Sequence, residues 1–283
     1  MHDSRDGPMN ICKKLVAMCA LALCFLSAPQ FSSDANALFC SNTGARFNEW
    51  KAAFKKQYGR KYKKSTWRKF DRVKYDKRVI AKDRRNKRSF KGSFASFYKR
   101  RAAGVAPIAR KKWRQYKKYF NKAEKRYGVQ PEVILAIWGL ESAFGRYRGK
   151  QYPILQSTAT LAYDCRRSKT LFFPQLLAAM TVTDRGLSDL SKRTGAWAGE
   201  IGQTQFLSSS FLKAAVDFDG GGVNVYSSAP DVIGSTAKWF AVHGWKRGGS
   251  YQPGSHNYRV IQLWNKATNY QKTIAKLAAN IKR

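Results

Sequence analysis

The stretch "VQPEVILAIWGLESAFG", residues 129–145, is a long apolar run interrupted near its end by one carboxylate, Glu141. Pro131 suits the first position of a helix, where a missing N–H costs nothing, and Gly145 can end it. Steps of four back from Glu141 reach Ile137 and Val133, with Ile134 and Trp138 beside them, so the spacing predicts a carboxylate on the buried stripe of the helix. A carboxylate there must be paired, neutralised by a raised pKa, or kept for chemistry. Arg146 and Arg148 are the cations in sequence that could pair with it.

The chain before this helix is strongly basic. The protein has 54 Lys+Arg against 17 Asp+Glu, a formal charge of +37. Residues 51–130 carry 31 of those cations and only Asp71, Asp76, Asp83 and Glu124 as acids. Such a face attracts polyanions, in an exported protein cell-wall polymers or an anionic envelope surface. The aromatics of "KKWRQYKKYFNKAEKRY" (111–127) could suggest base stacking. However, Trp113, Tyr116, Phe120, Ala123 and Tyr127 recur every three or four residues, which predicts one helix over 107–127 with aromatics inward and lysines in solvent. The basic part is expected to hold the protein on the wall without doing chemistry, with no nucleic-acid partner and a monomeric chain.

Lys13 and Lys14 precede the apolar run "LVAMCALALCFLSA", and "ANA" at 35–37 offers small residues for cleavage, the pattern of an export signal over 1–37. Export to the periplasm is therefore expected, leaving residues 38–283 as one domain with a basic helical part (38–130) and a catalytic core (131–283). Cys12, Cys19 and Cys24 fall inside the signal. Cys40 and Cys165 remain, either as a disulfide, which an oxidising compartment favours, or as two isolated thiols. Helical periodicity dominates the rest, including 171–186, 208–218, 231–245 and 269–281. Glycine-rich loops are expected over 192–205 and 217–230, and strand alternation is scarce.

Chemistry is narrowed by what is missing. The exported part has two histidines, His243 and His256, without metal-ligand spacing, and it contains neither a G-x-S-x-G elbow nor a phosphate-binding loop. No cofactor is expected. What remains is the acid Glu141 and the loop "GAWAGEIGQTQF" (195–206), whose aromatics and amides suit sugars, since rings stack on apolar sugar faces and amides bond hydroxyls and N-acetyl groups.

"GLESAFG", "YPILQSTATLAYDCRRS", "GAWAGEIGQTQFLSSSF", "AVDFDGGG" and "PDVIGSTAKWFAVHGW" follow one another in an order and spacing that resembles the lytic murein transglycosylases of the membrane-bound B type. The resemblance runs from about residue 39 to the C-terminus. It implies a mainly α, lysozyme-like, two-lobed domain with glycine-rich cleft loops, and cleavage of the β-1,4 bond between N-acetylmuramic acid and N-acetylglucosamine in peptidoglycan glycan strands. Glu141 matches the family's single catalytic acid, which protonates the leaving oxygen and then deprotonates the muramic C6 hydroxyl to close a 1,6-anhydro ring. Gln205 and Phe206 match its substrate-contacting Gln-Phe, Trp239 and Trp264 stand where relatives often have tyrosine, and Tyr270 matches a tyrosine near the cleft. Ala196 departs from a serine of some relatives, and Ser208 from the usual proline.

Two acidic features keep other readings open. Glu200 is expected to orient or stabilise the loop, but with a water between it and Glu141 the protein would be an inverting muramidase. Asp217, Asp219 and Asp231 stand where some relatives bind calcium, yet Gly221 replaces an acidic position, so no tight metal site is expected. A basic wall-binding protein without catalysis is the third reading.

Overall fold

Helix periodicity in the sequence is met by helices almost throughout. In the computed structural model residues 38–85, 92–147, 149, 151–166 and 171–282 are described; the expected export signal at 1–37 and Arg148 lie outside them. The chain runs through α1 (Phe47–Tyr58), α2 (Lys64–Asp71), α3 (Lys77–Arg85), α4 (Phe94–Ala102), α5 (Val105–Gln115), α6 (Lys117–Tyr127) and α7 (Pro131–Ser142). After β1 (Tyr152–Pro153) come α8 (Ile154–Tyr163) and α9 (Phe173–Asp184), then β2 (Thr194–Gly195), α10 (Ser208–Ala214), α11 (Ala229–Val242), α12 (His256–Trp264) and α13 (Thr268–Lys282). The two short strands pair antiparallel, with Tyr152 opposite Gly195 and Pro153 opposite Thr194. No helix of the described residues is long and apolar enough to cross a membrane.

Pro131 opens α7 as expected, but the helix has no wet face. Ten of its twelve residues are buried, because α4, α5, α6, α11 and α13 all pack against it. Glu141 is one of the two exceptions, so its position reads differently from the sequence expectation: it is the point where a fully enclosed helix opens. Gly139 permits this enclosure, since a Cβ there would collide with Val105 of α5.

The single helix expected over 107–127 is two. Tyr116 leaves helical geometry (φ −115°, ψ 23°) between α5 and α6, and its ring centroid lies 6.2 Å from that of Trp138 on α7. Phe120 and Ala123 are buried and Trp113, Tyr116 and Tyr127 are half-buried against the core, so the aromatic stripe faces inward. The helix α12, with Ser255 Oγ accepting the Tyr258 N–H, was not expected from the sequence.

A second aromatic cluster holds the N-terminal helices to the rest. Phe47, Trp50 and Phe54 form the buried face of α1, and Trp50 lies 5.4 Å from Tyr163 of α8 while Phe54 lies 5.1 Å from Phe70 of α2. The Asp184 carboxylate at the end of α9 accepts the Lys63 N–H (2.7 Å) and the Thr66 hydroxyl (2.8 Å), securing the start of α2. Lys51 Nζ closes the other end by donating to the carbonyls of Asp71 and Val73 (2.9 and 2.7 Å), where the helix dipole favours a cation.

Cys40 and Cys165 form a disulfide across 125 residues of sequence, beside a backbone bond from Ser41 N–H to the Tyr163 carbonyl (3.1 Å). A loop of that length gives about 5 kcal/mol in the chain-entropy model. Protein purified without reductant is therefore expected to show no alkylatable thiol from this pair when unfolded, and reduction should lower its thermal midpoint by several degrees; two free thiols would contradict the bridge.

Candidate active site

Glu141 sits where α7 stops. Ala143 and Phe144 adopt left-handed conformations (φ 47° and 60°), uncommon without glycine, and the Phe144 ring is buried edge-on against Trp138 at 5.4 Å. Ser142 Oγ accepts the Gly145 N–H at 2.9 Å. Gly145 thus completes the turn, three residues beyond the helix it was expected to end. A Cβ at Gly145 would overlap the Gln203 amide, which accepts the Trp138 indole N–H (2.8 Å) and donates to the Tyr226 carbonyl (3.0 Å). Gln203 therefore ties α7 to the glycine-rich loop, a role the sequence reading did not assign.

The loop is pinned by reciprocal backbone bonds between Ile201 and Phe206 (2.8 and 3.0 Å). Gln205 lies at the tip in a left-handed conformation (φ 52°) and its amide donates to the Gly202 carbonyl (2.6 Å). Ser208 is the first residue of α10, the position where the relatives' proline would fit without losing a hydrogen bond.

These elements enclose a cavity of about 350 Å³ lined by Glu141, Glu200, Gln205, Phe206, Trp239 and Trp264. Ser210, Leu263 and Asn265 also line it and escaped the sequence reading. Trp264 is wedged edge-on against Trp239 (4.8 Å) and Phe206 (5.6 Å) and stacked on Phe240 (5.5 Å). That arrangement aims its indole N–H at Glu141 Oε1 (3.0 Å). The Tyr270 hydroxyl donates to the same oxygen at 2.7 Å. Tyr270 is buried behind the carboxylate, so it serves the acid and is not among the residues lining the cavity. Glu141 Oε2 has no hydrogen-bond partner among the described residues. Trp239 is also buried, and its indole N–H has no partner among them.

Burial raises the Glu141 pKa above the ordinary carboxylate value, against the Tyr270 and Trp264 hydrogen bonds and the charge of Arg101, all of which favour the anion. Arg101, on α4, donates to the Leu140 carbonyl (3.0 Å) and interacts with the Tyr270 hydroxyl. Arg101 belongs to the basic 51–130 part and contributes to the electrostatic surroundings of the acid through these contacts. Among the described residues no ion pair joins Glu141 to Arg146. Burial lifts Glu200 to about 7, with Glu141 adding to the rise and the backbone N–H groups of Glu200 itself and Ala198 opposing it; Ala198 donates to Oε2 at 2.9 Å. Glu200 therefore braces the loop and also lines the cavity, which sequence reading alone had not placed together.

Asp217, Asp219 and Asp231 bring carboxylate oxygens within 4.8 Å of one another. Asp217 already accepts the N–H groups of Gly220 (2.7 Å) and Gly222 (2.9 Å), and Asp231 those of Phe218 (2.7 Å) and Asn224 (2.6 Å). Asp219 accepts the Ser228 hydroxyl (2.7 Å), and Gly221 supplies no side-chain oxygen, so these three carboxylates are the side-chain oxygens the loop brings together towards the six to eight oxygens a calcium ion takes.

Residues 46–256 match the family model of the transglycosylase SLT domain. The chain belongs to that family. It is 38% identical over 137 residues to the membrane-bound lytic murein transglycosylase B of Escherichia coli (strain K12), a match covering 48% of this chain and 37% of that protein; the matched segment thus spans little more than a third of that relative's length. The crystal structure of SltB3 from Pseudomonas aeruginosa in complex with NAG-NAM-pentapeptide is similar at a TM-score of 0.75 and 26% identity, over 84% of this chain and 80% of that one. The Escherichia coli lytic transglycosylase Slt35, solved in complex with calcium, shares the fold at a TM-score of 0.69 and 22% identity, over 88% of this chain and 97% of that one. The mainly α, lysozyme-like fold expected from the sequence is the fold of this SLT-domain protein.

The raised Glu200 pKa has a stability consequence. The folded protein holds this proton more tightly than the unfolded chain, where the group titrates near 4.5. The stabilisation is complete below about 4.5 and is lost as pH rises through about 7. Glu200→Gln should therefore match the parent in denaturant unfolding at pH 4 and exceed it at pH 8, by on the order of 1–3 kcal/mol. Equal stability of the two at pH 8 would contradict the buried, proton-holding state of Glu200.

Proposed function

We propose that the protein is an exported lytic transglycosylase. In this reading it cleaves the β-1,4 bond between N-acetylmuramic acid and N-acetylglucosamine in peptidoglycan and leaves 1,6-anhydromuramic ends. The observation that carries it is the state of Glu141: one oxygen held by Tyr270 and Trp264, the other without a hydrogen-bond partner among the described residues, in the wall of a cavity rich in indole and amide groups. Burial raises its pKa and so favours the protonated acid, and the two donors then stabilise the anion that acid catalysis leaves behind.

The Glu141 proton passes to the glycosidic oxygen as the C1–O bond breaks, releasing the leaving sugar as an alcohol. The muramic N-acetyl carbonyl oxygen bonds C1 from the opposite face, taking the place of a second carboxylate. Glu141, now anionic, removes the C6 hydroxyl proton as that oxygen attacks C1 and displaces the acetamido oxygen. The ring closes without water and the carboxyl is reprotonated for the next turnover. The second N–H of the Gln205 amide and its carbonyl oxygen are the groups at the loop tip that would meet hydroxyl and acetamido groups, Trp239 supplies ring surface, and Trp264 serves both as sugar wall and as donor to Glu141. Domain 38–283 would act in the periplasm as a monomer after removal of residues 1–37, bound to glycan strands and held on the wall by its basic exterior.

Glu200 in the same cavity favours one rival, hydrolysis by two carboxylates. Mass spectrometry of digested sacculi separates them: anhydro ends, one water lighter than hydrolytic products, are expected, whereas reducing muramic ends as the main product would refute the proposal. Glu141→Gln should lose roughly three to four orders of magnitude in turnover while keeping the fold. Glu200→Gln should keep measurable activity, and its complete loss in a folded variant would favour the hydrolytic pair.

A further inference from the structure

A groove of about 460 Å³, separate from the cavity around Glu141, runs between α2 and the segment leading into β2. Ser65, Arg68, Lys69 and Arg72 fall at i, i+3, i+4 and i+7, so one helix face supplies a whole wall, while Thr66, Trp67 and Phe70 bury the opposite face in the core. Lys192 adds a cation from the facing segment. No acid lines the groove among the described residues.

Of the four cations only Lys69 has an ion-pair partner there, Asp189 at 2.9 Å. Asp189 also accepts the Ser191 hydroxyl (2.6 Å), which fixes the facing segment in place. Arg68, Arg72 and Lys192 line the same groove and have no ion-pair partner among the described residues, and like charges at i and i+4 disfavour a helix unless an anion lies between them. The floor is apolar, formed by Val73, Pro153 and Leu155. Separated cations over an apolar floor suit an acidic peptide, whose carboxylates alternate with aliphatic groups, better than a bare phosphate chain.

The groove also adjoins the cleft. Pro153 on its floor is paired with Thr194 of β2, and a Cβ on the next residue, Gly195, would overlap the Glu200 carbonyl. Lys192 and Glu200 are eight residues apart in sequence, at most about 26 Å even if extended. We infer that this groove binds the carboxylates of peptide stems carried by the glycan, so that the protein reads substituted strands in preference to bare ones. This rests on the proposed activity towards peptidoglycan.

The test uses the full exported chain carrying Glu141→Gln, with and without Arg68→Gln, Arg72→Gln and Lys192→Gln together. Calorimetry measures binding of a synthetic acidic stem tetrapeptide and of the same peptide with its carboxylates amidated. The triple substitution is expected to weaken the acidic peptide roughly tenfold, since exposed ion pairs each contribute a few-fold, and the amidated peptide should bind the unsubstituted groove equally weakly. Lys192→Gln alone, on a separate element from α2, should give part of the loss. With Glu141 intact, the triple variant should cleave glycan stripped of peptides at the parental rate. Unchanged binding of the acidic peptide, equal binding of its amidated form, or loss confined to a phosphodiester polymer would overturn the assignment. Failure of the parent to cleave peptide-bearing sacculi would count against the proposed activity, and the peptide titrations would still decide the groove.

Discussion

A carboxyl group at the end of a helix enclosed on all sides is the constraint on which the rest of this structure depends. Water cannot solvate Glu141 as it would on a surface, so the protein must choose how much of the anion to stabilise. It places two donors, Tyr270 and Trp264, on one oxygen and leaves the other to the cavity. Burial keeps the proton on and the donors limit the cost of losing it. An acid that must later act as a base requires both.

Much of the architecture follows from holding those donors in place. Trp264 ends α12 and Tyr270 lies near the start of α13, the helix that packs along α7. The Trp239, Phe206 and Phe240 rings hold the indole. On the far side, Gln203 joins the Trp138 indole to the Tyr226 carbonyl, fixing the glycine-rich loop to the same helix. Arg101 extends the network into α4, so the basic N-terminal part contributes to the acid's environment as well as to the surface charge.

Legibility in the sequence tracked how local each cause was. Pro131, the apolar run and Glu141 announce the central helix, because capping and periodicity are properties of neighbouring residues. Gln205, Phe206, Trp239 and Trp264 could be named from motif resemblance, and all four line the cavity with Glu141. Tyr270 was found by the same route, but its position behind the acid depends on how α13 meets α7. The break at Tyr116 was invisible because the aromatic spacing runs unbroken through it; a tertiary contact with Trp138 marks the place. Gln203 and Gln205 are equivalent on paper, two amides in one loop, and only the fold makes one a brace and the other a tip. Glu200 looked like a loop brace, and its place in the cavity wall required the loop to fold back over α7. Arg101 carried no signal at all among so many cations.

The central claim is that Glu141 keeps its proton to a higher pH than an ordinary carboxyl group does, and infrared difference spectroscopy reads this directly. The carboxylic C=O stretch present in the parent and absent from Glu141→Gln should persist at pH 5 and give way to carboxylate bands only above the pH at which an ordinary glutamate ionises. A Glu141 already ionised at pH 5, with no protonated band in the difference spectrum, would contradict the account.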